Sequence, residues 1–355
     1  MPERRRVAVV GAGIGAAHVG GYRALPDRFD VAVLCDRDTE RARGVVGDAI
    51  PVSGDFDAVL SDPEIDIVDV CLPPHLHCDA VVSALEAGKH AVCEKPLVPS
   101  VRDADRLLDK SGEAGRTVFP VFQYRYGKGA SQLRALREAN LTGRAFAGTL
   151  ETHWNRAASY YEVDWRGTWK GERGGAVLGH AIHIHDWLNF ALGPVASVHA
   201  EATTLVNDIE VEDCAALAIR MASGAVVTSS VTLGAANDTS RLRLCFEGLT
   251  AESGTAPYAP AEDRWSFTAR APYAQEAIDD VLAGVGDDEP AGYAGLFAAM
   301  ADALDGEPGR EVTLEDGRRS IEFVSAVYAS VRKGAPEALP IGRDHPLYRG
   351  WLPQV

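Results

Sequence analysis

The stretch that decides the fold is Val7–His18, VAVVGAGIGAAH, an apolar run that ends on closely spaced glycines and passes directly into a helical pattern. A valine-rich run without polar alternation suits a strand buried on both faces, as in a parallel sheet. Gly11 allows a tight turn. Gly13, followed by Ile14, lets a pyrophosphate approach the backbone, and the small Ala16 completes G-x-G-x-x-A so that helix and strand can close up. The pyrophosphate would meet N–H groups and the positive end of the helix dipole. A glycine turn alone is common, but here a second strand, DVAVLCD, follows the helix and ends on Asp36.

Asp36 bears on the cofactor. A carboxylate accepts both ribose hydroxyls, whereas a 2′-phosphate there meets like charge, at a cost of about 4 kcal/mol per pair of unit charges before screening. NAD is favoured over NADP. Arg37, next in the chain, leaves NADP open if Asp36 turns away.

Outward from this turn, apolar runs alternate with helical patterns: IDIVDVCL before DAVVSALEAG, HAVCEK before VRDADRLLDKSG, then TVFPVFQ. That series predicts an N-terminal Rossmann domain, a doubly wound parallel sheet over residues 1–123. Beyond a helix near SQLRALREANLTG the period changes to two in AFAGTLETHW, SVHAEATTLV, CAALAIRMASGAVVTSSVTL and SRLRLCFEG. Residues 124–355 therefore read as an α/β domain with a large, mostly antiparallel open sheet, meandering and packed on helices along one face. Helices are expected at 291–304 and 314–333, and AGVGDDEPAGYAG reads as a loop.

Composition limits the rest. In 355 residues, 46% hydrophobic and 24% charged, there is room for two cores of ordinary size. A net charge of −16 with no basic stripe argues against nucleic acid and anionic membrane as partners. The opening MPERRRVAVVGAGIGAAHVGG superficially resembles a secretory leader, but glycine breaks its apolar run and its removal would delete a strand. Six scattered cysteines without a C-x-x-C pair fit reduced core residues, and the expected location is cytoplasmic.

A second motif lies at the end of HAVCEKPL, where a strand that reads as core finishes on Glu94 and Lys95 before Pro96. In open parallel sheets ligands sit beyond the carboxyl ends of the strands. Pro96 biases Lys95 to an extended conformation, which sends its side chain and that of Glu94 opposite ways. An ammonium there can stabilise the substrate oxygen as C–O becomes C=O.

The run from Ile65 to Leu97 closely resembles the hallmark region of the glucose–fructose oxidoreductase / inositol dehydrogenase / MocA family, and Gly11, Gly13 and Asp36 fall at the positions of that family's NAD fingerprint. The resemblance covers the whole chain in outline. It implies that Lys95 is the catalytic lysine, that Glu94 to Pro96 help to seat the nicotinamide, and that Cys71, Pro73 and His77 belong to a loop lining the cofactor.

GGAVLGHAIHIHDW resembles the family's second motif, in which an Asp precedes a catalytic His by four residues and another follows it by three. Aligned on His183 and Asp186, the first Asp is replaced by Gly179, beside His180. Either His180 substitutes in the proton path or Lys95 and His183 act without that acid. A metal is not expected: on a helix His185 points away from His183, and on a strand His180 does. His183 is the expected general base, with a pKa range suited to taking a hydroxyl proton.

YYEVDWRGTWKGERGG supplies Trp165, Arg166 and Trp169 as candidates for sugar contacts, and FQYRYGKG supplies Arg125 and Tyr126, since aromatic faces pack on sugar C–H groups while Arg donates to hydroxyls. The sequence thus points to an NAD-dependent oxidoreductase interconverting alcohol and ketone, or lactone, on a sugar, glycoside or cyclitol. The rivals are a glycosidase working through transient oxidation, and a non-catalytic dinucleotide- or sugar-binding regulator. A homodimer or homotetramer through the open sheet is expected.

Overall fold

The computed structural model describes residues 4–286 and 289–353. Asp287 and Asp288 of the expected loop, and the first three residues of the leader-like opening, lie outside the described residues.

Six strands, β1 (Arg5–Val10), β2 (Phe29–Cys35), β3 (Val52–Ser53), β4 (Ile67–Val70), β5 (His90–Cys93) and β6 (Val118–Pro120), form a parallel sheet in the order β3-β2-β1-β4-β5-β6. Helices α1 (Gly15–Arg23), α2 (Thr39–Val46), α3 (Phe56–Ser61), α4 (His77–Glu86) and α5 (Val101–Ala114) alternate with them. Val7, Ala8 and Val9 of β1 are fully buried, as are Val68 of β4 and Val92 of β5, which explains their unbroken apolar runs. The order reverses between β1 and β4, so the crevice where ligands bind in such sheets opens at the carboxyl ends of these two strands. The short β3 and α3 carry too few residues to show a period in sequence.

The second sheet has eight strands in the order β13-β12-β11-β7-β10-β9-β8-β14. These are β7 (Ala145–Asn155), β8 (Val195–Thr203), β9 (Cys214–Met221), β10 (Val226–Thr232), β11 (Gly234–Phe246), β12 (Leu249–Glu252), β13 (Ser266–Ala269) and β14 (Glu337–Ala338). It is mostly antiparallel, but not the expected meander: β10 pairs with β7 in parallel, so β7 lies in the middle of the sheet. In β9, Ala215, Leu217, Ile219 and Met221 are buried while Ala216, Ala218 and Arg220 face solvent, the alternation of a sheet packed on one side. The helices of this part of the chain are α6 (Lys128–Glu138), α7 (Ala176–Gly179), α8 (Ile182–Leu192) and α9 (Gln275–Ala283), followed by α10 (Gly292–Leu304) and α11 (Leu314–Lys333).

By contacts, the chain gathers into two units. One runs to Phe122 and takes in Tyr293–Ile321; the other comprises Gln123–Gly292 and the chain from Glu322 onward. A single division at residue 123 leaves out this return to the first unit. The six cysteines are free thiols, and no helix among the described residues is long and apolar enough to cross a membrane.

Candidate dinucleotide and catalytic site

In the first unit the glycine turn is fixed by its neighbours. Gly11 has φ +108°, and a Cβ there would lie 2.4 Å from the Cys71 carbonyl oxygen, so no other residue fits where the end of β1 meets the end of β4. A Cβ on Gly13 would meet nothing within 4 Å, so the turn is open on the side where a phosphate has to approach. Gly15, rather than the exposed Ala16, makes the close helix–strand contact: its Cβ would stand 2.9 Å from Val9. Ile14, 45% exposed, caps α1 without a side-chain hydrogen bond, and the first turn carries no acid. An uncapped helix start beside an open glycine turn matches the needs of a dinucleotide pyrophosphate.

Asp36 follows β2 and reaches back to this turn. Its Oδ2 accepts the Ala12 N–H at 2.7 Å and its Oδ1 the Asp38 N–H at 2.9 Å. Burial works to raise its pKa, but these donors and the Arg41 guanidinium prevail and hold it below the usual carboxylate range. Arg41, 2.6 Å from Oδ2, is the cation paired with Asp36, while Arg37 is exposed. Sequence reading missed Arg41, although its place in the first turn of α2 behind the Asp38 cap aims it at Asp36.

Cys71 continues β4 and is buried; Pro73 precedes a short 3-10 turn, Pro74–Leu76. His77 is fully buried, with Nδ1 2.8 Å from the Pro96 carbonyl and Nε2 2.7 Å from that of Leu72. Burial keeps its pKa below the usual histidine value in spite of both carbonyls. It ties the loop after β4 to the turn after β5, instead of offering its ring to a ligand. In that second turn Lys95 is partly accessible, Glu94 is buried, and the Lys95–Pro96 peptide is cis.

The second unit holds the histidines. His180 ends α7 with non-helical φ and ψ, and α8 starts at Ile182, so the two histidines do not share one helix face. His183 stacks on Tyr124, ring centroids 4.3 Å apart. His180 meets the edge of Trp154 at 5.4 Å and lies 5.8 Å from Tyr160. The Nε2 of His185 lies 2.9 Å from the Ser229 hydroxyl, and burial pushes its pKa down to about 3. It is a neutral core residue. At Gly179 the nearest group to a would-be Cβ is the buried Glu172 carboxylate, 3.8 Å away, whose other oxygen accepts the Gly167 N–H at 2.7 Å.

The candidate sugar contacts divide. Arg125 makes two parallel bonds of 2.6 Å to Asp186 with both side chains buried, an arrangement in which removing either partner costs about 3–5 kcal/mol. Tyr126 is buried as well. Arg125 belongs to the frame that holds α8, and Tyr124, just before it in the sequence, is the residue that touches His183. Arg166 lies 3.7 Å over the Tyr160 ring and 5.4 Å from Trp165, and Trp169 packs edge-on to Tyr328; all three candidates in this stretch are half-buried. Sequence reading also missed Arg156, which lies over Trp154 at 4.9 Å and Tyr160 at 5.3 Å and pairs with Asp238 at 3.0 Å. The inward phase of β7 marks Trp154, but nothing local brings Asp238 to Arg156.

A model of the GFO/IDH/MocA oxidoreductase family, NAD-binding Rossmann fold, matches residues 5–122, and a model of the GFO/IDH/MocA C-terminal domain matches residues 130–252. An uncharacterized oxidoreductase of Schizosaccharomyces pombe is 30% identical over 258 residues, 68% of each chain. Levoglucosan dehydrogenase of Pseudarthrobacter phenanthrenivorans is 27% identical over 224 residues, 58% of this chain and 56% of that one. The crystal structure of the WlbA dehydrogenase from Bordetella pertussis in complex with NADH and UDP-GlcNAcA matches with a TM-score of 0.85 at 26% identity, over 96% of this chain and 99% of that chain. With the glycine turn, the strand order and both family models in agreement, the chain belongs to the Gfo/Idh/MocA family of oxidoreductases, and its first unit is an NAD-binding Rossmann domain.

Proposed function

We propose that the protein is an NAD-dependent dehydrogenase that interconverts a secondary alcohol and a ketone on a sugar, glycoside or cyclitol. Lys95 carries the reading: a lysine at the carboxyl end of β5, on a turn braced to the loop after β4 by His77, two strands from the open glycine turn. When bound, NAD supplies a hydride-accepting carbon. Gly11 to Ile14 seat its pyrophosphate, Asp36 binds the adenosine ribose, and Glu94 to Pro96 flank the nicotinamide together with Cys71 and Pro73. Asp36 in its present pairing favours NAD over NADP.

Lys95 hydrogen-bonds the reacting oxygen and stabilises its alkoxide character. His183, its ring plane set by Tyr124, takes the hydroxyl proton, and His180 passes it on with Glu172 as the carboxylate behind it. Trp154, Tyr160 and Arg156 near His180, with Trp165, Arg166 and Trp169, offer aromatic faces and donors suited to a sugar ring. The similarity to levoglucosan dehydrogenase and to the WlbA dehydrogenase in complex with UDP-GlcNAcA supports the same substrate class.

On this reading residues 1–123 bind the dinucleotide, and residues 124–355 bind the sugar and self-associate as a dimer or tetramer through the solvent face of the second sheet. The free thiols fit a cytoplasmic enzyme. The test is a panel of sugars, glycosides and inositols with NAD⁺ and NADP⁺, followed by nicotinamide absorbance. Reduction of NAD⁺ by at least one cyclic polyol supports the proposal, and no reduction across the panel in either direction overturns it.

A further inference from the structure

Five polar side chains meet in the interior of the first unit. His18 of α1 is fully buried, with Nδ1 2.8 Å from an Asp69 oxygen and Nε2 3.1 Å from a Glu94 oxygen. The same Glu94 oxygen accepts the Tyr293 hydroxyl at 3.2 Å, and the other accepts the main-chain N–H of Lys95 at 2.9 Å. The Cys71 thiol, at the foot of the glycine turn, lies 3.5 Å from Asp69 and 3.3 Å from His18. Two carboxylates facing the two ring nitrogens of one histidine are both satisfied only if each nitrogen carries a proton.

We propose that His18 is a positioning residue for Lys95: its ring, clamped between Asp69 and Glu94, holds the Glu94 carboxylate against the Lys95 N–H and so fixes the turn from which the amine projects. This rests on the reading of Lys95 given above. The clamp joins helix α1, which starts at the dinucleotide turn, to the turn after β5, so that both flanks of the crevice are held by one buried charge network.

Burial works against the imidazolium, but Asp69 leads the groups that outweigh it and raise the pKa of His18 well above the usual value. The groups facing this cluster are Tyr22 on α1, Asp69 and Cys71 at the end of β4, Cys93 and Glu94 at the end of β5, and Tyr293 on α10. Among these, His18 is the cation that answers two carboxylates. The ligand-type atoms of His18, Asp69 and Cys71 lie within 4.8 Å of one another, the spacing of a metal site. A doubly protonated ring has no lone pair for a metal, and the existing hydrogen bonds already account for the grouping.

Two measurements test the proposal. The first is nitrogen NMR of the full chain with labelled histidine, from pH 5.5 to 8.5. Both ring nitrogens of His18 are expected to stay protonated throughout; a neutral tautomer at pH 7 would overturn the proposal. The second compares His18→Gln and the milder Tyr293→Phe with the parent, in NADH fluorescence titrations and in turnover of the best polyol from the panel. Expected are losses in kcat of tenfold or more and of two- to fivefold, respectively, with NADH dissociation constants changed less than threefold. If kcat is unchanged in Tyr293→Phe, and in His18→Gln where that variant folds, the network is only structural and the proposal fails. Should Lys95→Ala retain full turnover while His18 proves doubly protonated, the role of Lys95 is wrong and the clamp itself stands.

Discussion

Tyr124 lies against the face of His183, with ring centroids 4.3 Å apart and planes inclined by 20°. The tyrosine hydroxyl is held by the Pro257 carbonyl at 3.3 Å, and its own carbonyl accepts the Trp187 indole N–H at 3.0 Å. The imidazole is thus oriented by a ring that is itself fixed at two points. Tyr124→Leu is expected to lower kcat about tenfold with little change in NADH affinity, and Tyr124→Phe to keep most of the activity. Steady-state kinetics of the pair check this; equal loss in both variants would mean that the hydroxyl, not the stacking, matters.

Asp36 is the residue on which the proposed preference for NAD rests. Asp36→Ser removes the carboxylate that repels a 2′-phosphate and releases Arg41, now 2.6 Å from it, to bind one. The ratio of kcat/KM for NAD⁺ to that for NADP⁺ is expected to fall by about 10²-fold, in line with a charge-pair energy of a few kcal/mol reduced by solvent screening. Adding Arg41→Ala is expected to return part of the ratio by weakening NADP⁺.

Glu172 faces the bare Cα of Gly179, and a Cβ there would meet it at an ordinary contact distance of 3.8 Å. Gly179→Ala is therefore expected to fold normally. Glu172→Gln is expected to lower kcat about tenfold, as removal of a carboxylate behind a proton path does. The double variant Glu172→Gln with Gly179→Asp, which returns a carboxylate from the helix side, is expected to recover much of that loss. Rescue by the second substitution separates a role in proton transfer from one in holding the Gly167 N–H, which an aspartate at 179 does not replace.

His185 contributes to the loss of stability in acid. Its folded pKa of about 3 lies below the unfolded value of about 6.5, so below pH 6.5 the unfolded chain binds more protons than the folded one. Stability contributed by the neutral ring is fully present above pH 6.5 and is lost as pH falls toward 3, by about 1.4 kcal/mol per unit at most. Denaturant titrations between pH 4 and 7, the range being of the order of these pKa values, are expected to show a shallower slope in His185→Leu than in the parent.

What the sequence disclosed follows the reach of each constraint. Gly11, Gly13 and the strand before them announce themselves because a tight turn with a close backbone approach leaves one residue type possible within a few positions. The turn at Lys95 is legible because it stands between a buried strand and a proline. Arg125 reads in the sequence as a ligand for a sugar because its partner is distant: Asp186 lies 61 residues on and comes to it only through the fold. The parallel pairing of β7 with β10, the return of Tyr293–Ile321 to the first unit and the pairing of Arg156 with Asp238 are equally non-local. No period in the chain encodes them.

The most direct test of the account is turnover in Lys95→Ala and His183→Ala, measured beside NADH binding to each. The account predicts that both variants bind NADH within threefold of the parent and lose at least 10²-fold in kcat, the scale of acid–base and oxygen-stabilising groups. Turnover at the parental rate in both would contradict it.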